Sequence, residues 1–201
     1  MREVEHEADV IFILGANTTE SHPVFGAAIK RAIKRGATLI VCDPRRIELA
    51  TRAAIHLQAL PGTDVAVLNG MLHHILASGL EDKEFIAARS HNFEAVRQAV
   101  LPYTPERAEH ISSVPADMIR RAAELYARGP RSSTLWAMGL TQHQTGTDNF
   151  YRPEREVELR IHHHLLAKGK GLRAIKKILS HHQSLAQCRE WLDTHLHKVE
   201  R

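Results

Sequence analysis

Two short apolar runs, with one helical stretch between them, limit what this chain can fold into more than any other feature. Val10–Leu14 is wholly apolar and closes on Gly15-Ala16-Asn17, the form of a strand buried on both faces and ended by a turn. Pro23–Arg35 then sets Val24, Ala27, Ala28, Ile29, Ala32 and Ile33 at helical spacing, with Gly36 where a C-cap belongs. A second buried strand, Thr38–Cys42, ends at Asp43-Pro44. Strand, helix and strand in this order imply two parallel strands joined by a right-handed crossover. Parallel sheets need cover on both faces, so the expected class is α/β, a Rossmann-like parallel sheet with flanking helices.

The first 148 residues continue in the same style. Arg46–Ala54 reads as another helix, Ile55–Leu60 as a third strand, and Pro61-Gly62-Thr63-Asp64 as a turn capping a long helix that runs to Ser78. From Asp82 to Gly129 the period is helical and is broken at Pro102, Pro105 and Pro115, which predicts several short helices. In the last of them Met118, Ala122, Leu125 and Tyr126 share a face. Ser133–Met138 returns to the sheet as a fourth strand before Gly139-Leu140-Thr141-Gln142.

Near Asn149 the chain changes character. Residues 1–148 carry 16 Lys/Arg against 17 Asp/Glu, whereas residues 149–201 carry 11 against 6, so the basic excess resides in the tail with seven of the 15 histidines. Such an asymmetry fits a nucleic-acid or membrane-binding arm only when the charges form a single-sign block. Here they alternate with apolar residues: Val157, Leu159 and Ile161 against Glu158, Arg160 and His162, a half-exposed strand over Val157–Leu166. Lys168-Gly169-Lys170-Gly171 is a turn, Leu172–Leu179 a strand or a helix start, and Ser184–Leu196 an amphipathic helix. The predicted division is a domain over residues 6–149 and a small α/β C-terminal fragment over residues 154–201. Cys42 and Cys188 show no CxxC spacing, which suits free thiols in a reducing compartment. No stretch approaches the roughly 20 apolar residues of a membrane span, and none has the form of a leader peptide. The expectation is a cytoplasmic protein with no membrane or nucleic-acid partner.

In an open parallel sheet, ligands collect at the carboxyl ends of the strands, where turns expose backbone N–H groups beside helix N-termini. Three turns carry suitable residues. Gly15-Ala16-Asn17-Thr18-Thr19 lets backbone approach an anion and adds hydroxyl and amide groups. Asp43-Pro44-Arg45-Arg46 supplies a carboxylate for ribose hydroxyls or a guanine edge, with guanidinium groups for phosphate. Pro61-Gly62-Thr63-Asp64 places a second carboxylate at a helix start. Each turn taken singly is also ordinary turn and capping chemistry; it is their order and spacing that is specific.

ADVIFILGANTTESHPVFGAAIKRAIKRGATLIVCDPRR, then HLQALPGTDVAVLNGMLHHIL, YTPERAEHISSVPADMIRRAAELYA and WAMGLTQHQTGTDN resemble the molybdenum-dependent formate dehydrogenase catalytic subunit over about 140 residues. The resemblance implies a bis(molybdopterin guanine dinucleotide) cofactor, formate oxidised to carbon dioxide, and electrons passed to an iron–sulfur cluster. It places dinucleotide contacts on Gly15, Asn17, Thr18, Asp43, Arg45, Gly62 and Asp64, with Met138, Gly139 and Gln142 at the last turn. The family's cysteine motif for the cluster has no counterpart here, and neither does its molybdenum-ligating cysteine or selenocysteine with the neighbouring histidine. Cys42, in a buried strand, matches a structural position. The expectation is a cofactor cradle with no catalytic residue, no iron–sulfur cluster and no protein ligand to the metal, whose partners are the remaining parts or subunits of such an enzyme.

The tail, REVELRIHHHLLAKGKGLRAIKKILSHHQSLAQCREWLDTHLHKVER, resembles an internal stretch of prephenate dehydratase over about 50 residues. Ser180-His181-His182-Gln183-Ser184-Leu185-Ala186-Gln187-Cys188 matches that family's Ser-His-x-Gln-x-Leu-x-Gln-Cys motif and implies substrate contacts at Ser180, His181 and Gln183. A helix start bearing Ser, His and Gln suits a dicarboxylate. The family's Thr-Arg-Phe triplet has no counterpart, so dehydratase turnover is not expected. A third reading is an inactive chimeric or designed chain. The histidines of the tail are read as structural and not as a metal site: on a strand His162 and His164 share a face and His163 does not. His73-His74 is read the same way.

Overall fold

Four strands, β1 Val10–Leu14, β2 Thr38–Cys42, β3 Ile55–Leu57 and β4 Ser132–Trp136, pair in the order β3-β2-β1-β4 with every neighbour parallel. This is a computed structural model that describes residues 1–142. The break near Asn149, the elements predicted beyond it, and Ser180, His181 and Gln183 lie outside the described residues. Nine helices are described: α1 Arg2–His6, α2 Thr18–Ser21, α3 Pro23–Arg35, α4 Asp64–Ala77, α5 Lys83–Arg89, α6 Phe93–Val100, α7 Pro105–Ser112, α8 Ala116–Arg128 and α9 Met138–Thr141. The protein is a mixed α/β structure with helices on both faces of its sheet.

Alternation along each strand divides the core into two layers. Phe12, Leu14, Ile40, Cys42, Ile55 and Leu57 pack under α4, α7 and α8 through Val67, Met71, Ala108, Ile119, Ala122 and Ala123. Ile11, Ile13, Leu39 and Val41 face the other way, onto Ile29 and Ala32 of α3 and onto Ile47, Leu49 and Ala50. All five residues of β1 are buried, as a strand at the centre of a covered sheet must be. Gly36 ends α3 in the left-handed conformation, and Gly36 and Ala37 N–H return to Ile33 and Ala32 carbonyls, as its position after the periodic run predicted.

Five local expectations give way to tertiary contacts. The helix expected over Arg46–Ala54 is a single 3-10 segment, Glu48–Arg52, because Ala53 is extended and Ala54 N–H already donates to Leu39 O as β3 begins. The strand expected to reach Leu60 stops at Leu57; Leu60 N–H leaves the sheet for Ser112 O at the end of α7. The fourth strand runs over 132–136, and Met138–Thr141, taken as strand end and turn, forms one turn of helix. On α8 the buried residues include Ile119, Ala122 and Ala123, while Leu125 lies at the margin, 37% exposed. On α3, Val24 is likewise exposed and Gly26 buried.

The two adjacent histidines of α4 are occupied as struts. His73 Nδ1–H donates to Val100 O on α6 at 3.2 Å, and His74 Nε2 meets Glu124 Oε1 on α8 at 3.1 Å. Among the described residues no helix is long and apolar enough to cross a membrane.

Candidate functional site

The register levels the carboxyl ends of β2, β1 and β4, with Leu14 beside Cys42 on one side and Trp136 on the other. Strand order reverses at β1: the chain goes from β1 outward to β2 and β3, then returns to place β4 on the other flank. A crevice is expected above such a point. One lies there, a cleft of about 600 Å³ lined by turns from all four strands.

At the end of β1, Gly15 takes φ +51° and its carbonyl accepts from Gly139 N–H at 3.0 Å. A Cβ on Gly15 would stand 2.6 Å from the Gly139 carbonyl carbon, so both positions exclude a side chain where the β1 and β4 turns meet. Asn17 follows as the first cap of α2, its Oδ1 accepting from Thr19 Oγ1 at 2.8 Å. At the end of β2, Asp43 is 2% exposed, and its Oδ1 accepts from Arg45 N–H at 2.8 Å and lies 3.4 Å from Arg45 Nε. At the end of β3, the turn through Gly62 delivers Asp64, 4% exposed, to the first turn of α4, where the helix end favours negative charge.

Gly15, Asn17, Asp43, Arg45, Gly62, Asp64, Met138 and Gly139 therefore come together from four sequence regions. Thr18 and Gln142 stand outside the lining: Thr18 is buried at the start of α2, its hydroxyl without a hydrogen-bond partner among the described residues, and Gln142 caps the exposed end of α9. Cys42 lies beneath the cleft, fully buried. Burial, then the nearby Asp64 and Asp43 carboxylates, pushes its thiol well above the ordinary range, which disfavours the thiolate that a nucleophile or metal ligand needs.

Sequence reasoning passed over Glu20, Ser21 and His22, which also line the cleft. Ser21 Oγ–H donates to Asn17 O at 2.9 Å, which leaves the same oxygen to accept from His22 Nδ1–H at 2.9 Å. The available signal was Ser-His-Pro directly before the α3 pattern, with Pro23 at the first helical position and so a helix start facing the strand ends. Among the described residues no three His, Cys, Asp or Glu side chains group as a metal site.

Residues 3–152 match the family model for molybdopterin oxidoreductase. The chain belongs to that family. It is 42% identical over 140 residues to formate dehydrogenase H of Escherichia coli, covering 70% of this chain and 20% of that one. It is 43% identical over 141 residues to the F420-dependent formate dehydrogenase subunit alpha of Methanocaldococcus jannaschii, covering 70% and 21%. A nitrate reductase of Symbiobacterium thermophilum is 38% identical over 156 residues, covering 72% and 21%. The chain thus spans about a fifth of the length of the curated relatives it matches. Among solved structures, acetylene hydratase from Pelobacter acetylenicus superposes with a TM-score of 0.66 at 30% identity, over 79% of this chain and 23% of that one. Residues 148–201 match the family model for prephenate dehydratase.

Proposed function

We propose that residues 6–149 are the cofactor-binding domain of a formate dehydrogenase-type molybdopterin oxidoreductase, holding a guanine dinucleotide end of bis(molybdopterin guanine dinucleotide). The observation that carries this is the cleft itself: four strand ends contribute two glycines in mutual contact, two buried carboxylates and one guanidinium to a single space. The donor set fits the group. Gly15, Gly62 and Gly139 let backbone approach a pyrophosphate, Arg45 is a counterion for it, and Asp43 and Asp64 accept from ribose hydroxyls or from a guanine N–H edge. When bound, the cofactor supplies a metal centre for two-electron oxidation. The chain's own part is to bind and orient the dinucleotide.

The relatives support a division of labour. Nitrate reductase, acetylene hydratase and formate dehydrogenase are different activities by name, yet this domain is like a part of each. That supports cofactor holding as the part played by this domain, with the choice of reaction left to other residues. The formate reading rests on relatives named as formate dehydrogenases, three of them as the subunit alpha, which supports further subunits as partners.

The test is a thermal shift of the full chain with guanosine diphosphate. We expect a rise in Tm that adenosine diphosphate does not match and that Asp43→Asn abolishes; no rise with either nucleotide refutes the reading. Formate-dependent dye reduction by the chain alone is expected to be absent. The family match over 148–201 favours a second reading, in which Ser180, His181 and Gln183 contact a dicarboxylate. Saturable binding of prephenate by the full chain, weakened by His181→Ala, would support it, and no binding would refute it.

A further inference from the structure

The turn that carries Asp43 is held from β3 by two side chains. Val41 is opposite His56 in the β2–β3 register and Cys42 opposite Leu57, so Gln58 follows level with Asp43. Residues 56 and 58 point to the same side of the strand, away from buried Ile55 and Leu57. From there His56 Nε2–H donates to Asp43 O at 2.9 Å, and Gln58 Nε2–H donates to Pro44 O at 3.0 Å. A carbonyl only accepts, so the first bond requires the proton on Nε2. The third tie is Arg45 N–H to Asp43 Oδ1 at 2.8 Å.

Two carbonyls and the carboxylate of one three-residue turn are thus each bonded, and Pro44 removes the remaining freedom of φ. We infer that His56 and Gln58 are positioning residues for the Asp43 carboxylate: they fix the turn so that its carboxylate meets a nucleoside already oriented. This rests on the cofactor-binding reading above. Neither side chain lines the cleft among the described residues, which places both to act through the turn. Positioning a ligand-binding group from outside its own contact set lowers the ordering that binding requires.

The experiment is titration of the full chain with guanosine diphosphate, unaltered and as His56→Leu, His56→Gln and Gln58→Ala. Glutamine places an N–H donor where histidine holds Nε2, whereas leucine places none. We expect His56→Leu and Gln58→Ala each to weaken binding about fivefold, the size of one net hydrogen bond, with His56→Gln returning to within about twofold of the unaltered chain. Equal affinity for His56→Leu and the unaltered chain overturns the inference and leaves the cofactor reading standing. Equal loss in His56→Leu and His56→Gln also overturns it, because a packing role ignores the donor. No binding by the unaltered chain overturns both. Should His56→Leu fail to fold, Gln58→Ala, on an exposed residue, decides the case.

Discussion

At Gly15 and Gly139 the fold depends on atoms that are absent. Their backbones touch where the β1 and β4 turns meet, and any Cβ at either position collides with the opposite main chain. Gly139→Ala is therefore expected to cost about 1–3 kcal/mol, seen as a lower urea midpoint, and to widen the cleft floor so that nucleotide binding falls with it. Cys42 makes the opposite kind of residue-scale statement. Its burial beside two carboxylates keeps it a thiol, so peptide mapping after iodoacetamide at pH 8 should find Cys42 unmodified in the folded chain and modified in urea. Labelling of the native protein at Cys42 would contradict the packing described. The glycines of both turns were legible in sequence as turn glycines, but nothing in sequence says that they touch each other.

Among the elements, α4 is unusual because its first two turns are buried nearly all round, from Asp64 to Met71. It packs against α7 and α8, and at Gly70 an added Cβ would approach Ala108 Cβ to 2.7 Å. Gly70→Ala thus sets a helix-propensity gain of about 1 kcal/mol against an overpacking cost of about 1–3 kcal/mol. A lower Tm is expected, since the neighbour is a side chain on a packed helix; an unchanged or higher Tm would show that α7 can yield. The long helix itself was plain from its periodicity and its Pro-Gly-Thr-Asp start. The segment Arg46–Ala54 was not, because its apolar spacing fits a helix and only the pull of Ala54 onto Leu39 shows why no helix forms. The same holds for α8, whose buried stripe is set by what faces it, so that Ile119 and not Leu125 turns inward.

For the whole molecule, closure depends on contacts between residues far apart in the chain. Arg131 at the entry to β4 reaches Asp9 at the entry to β1, at 3.0 and 3.3 Å, and its hydrogen bond holds the Asp9 carboxyl below the usual range. Arg31 does the same for Glu5 of α1. A carboxyl lowered in the folded state adds stability above its unfolded value of about 4, and that stability is lost as pH falls through the folded value. Arg131→Ala should therefore lower the urea midpoint at pH 7, with the difference from the unaltered chain closing below about pH 4. A difference that stays constant with pH would assign the loss to packing. At the same scale, limited proteolysis is expected to cut first between residues 149 and 153, at the proposed domain boundary. First cuts within residues 59–78 would refute that boundary.

The sequence by itself determined the strands at Val10–Leu14 and Thr38–Cys42, the crossover helix between them, and the three turns that carry polar groups. Each is written in local periodicity or in residues whose backbone preferences act over a few positions. Only the tertiary structure decided that the four turns share one cleft, that Ser21 and His22 belong to it while Thr18 and Gln142 do not, and that His56 and Gln58 reach back to the Asp43 turn. Those outcomes depend on strand order and register, which arise when segments tens of residues apart bury their apolar faces against each other, and no local pattern encodes them.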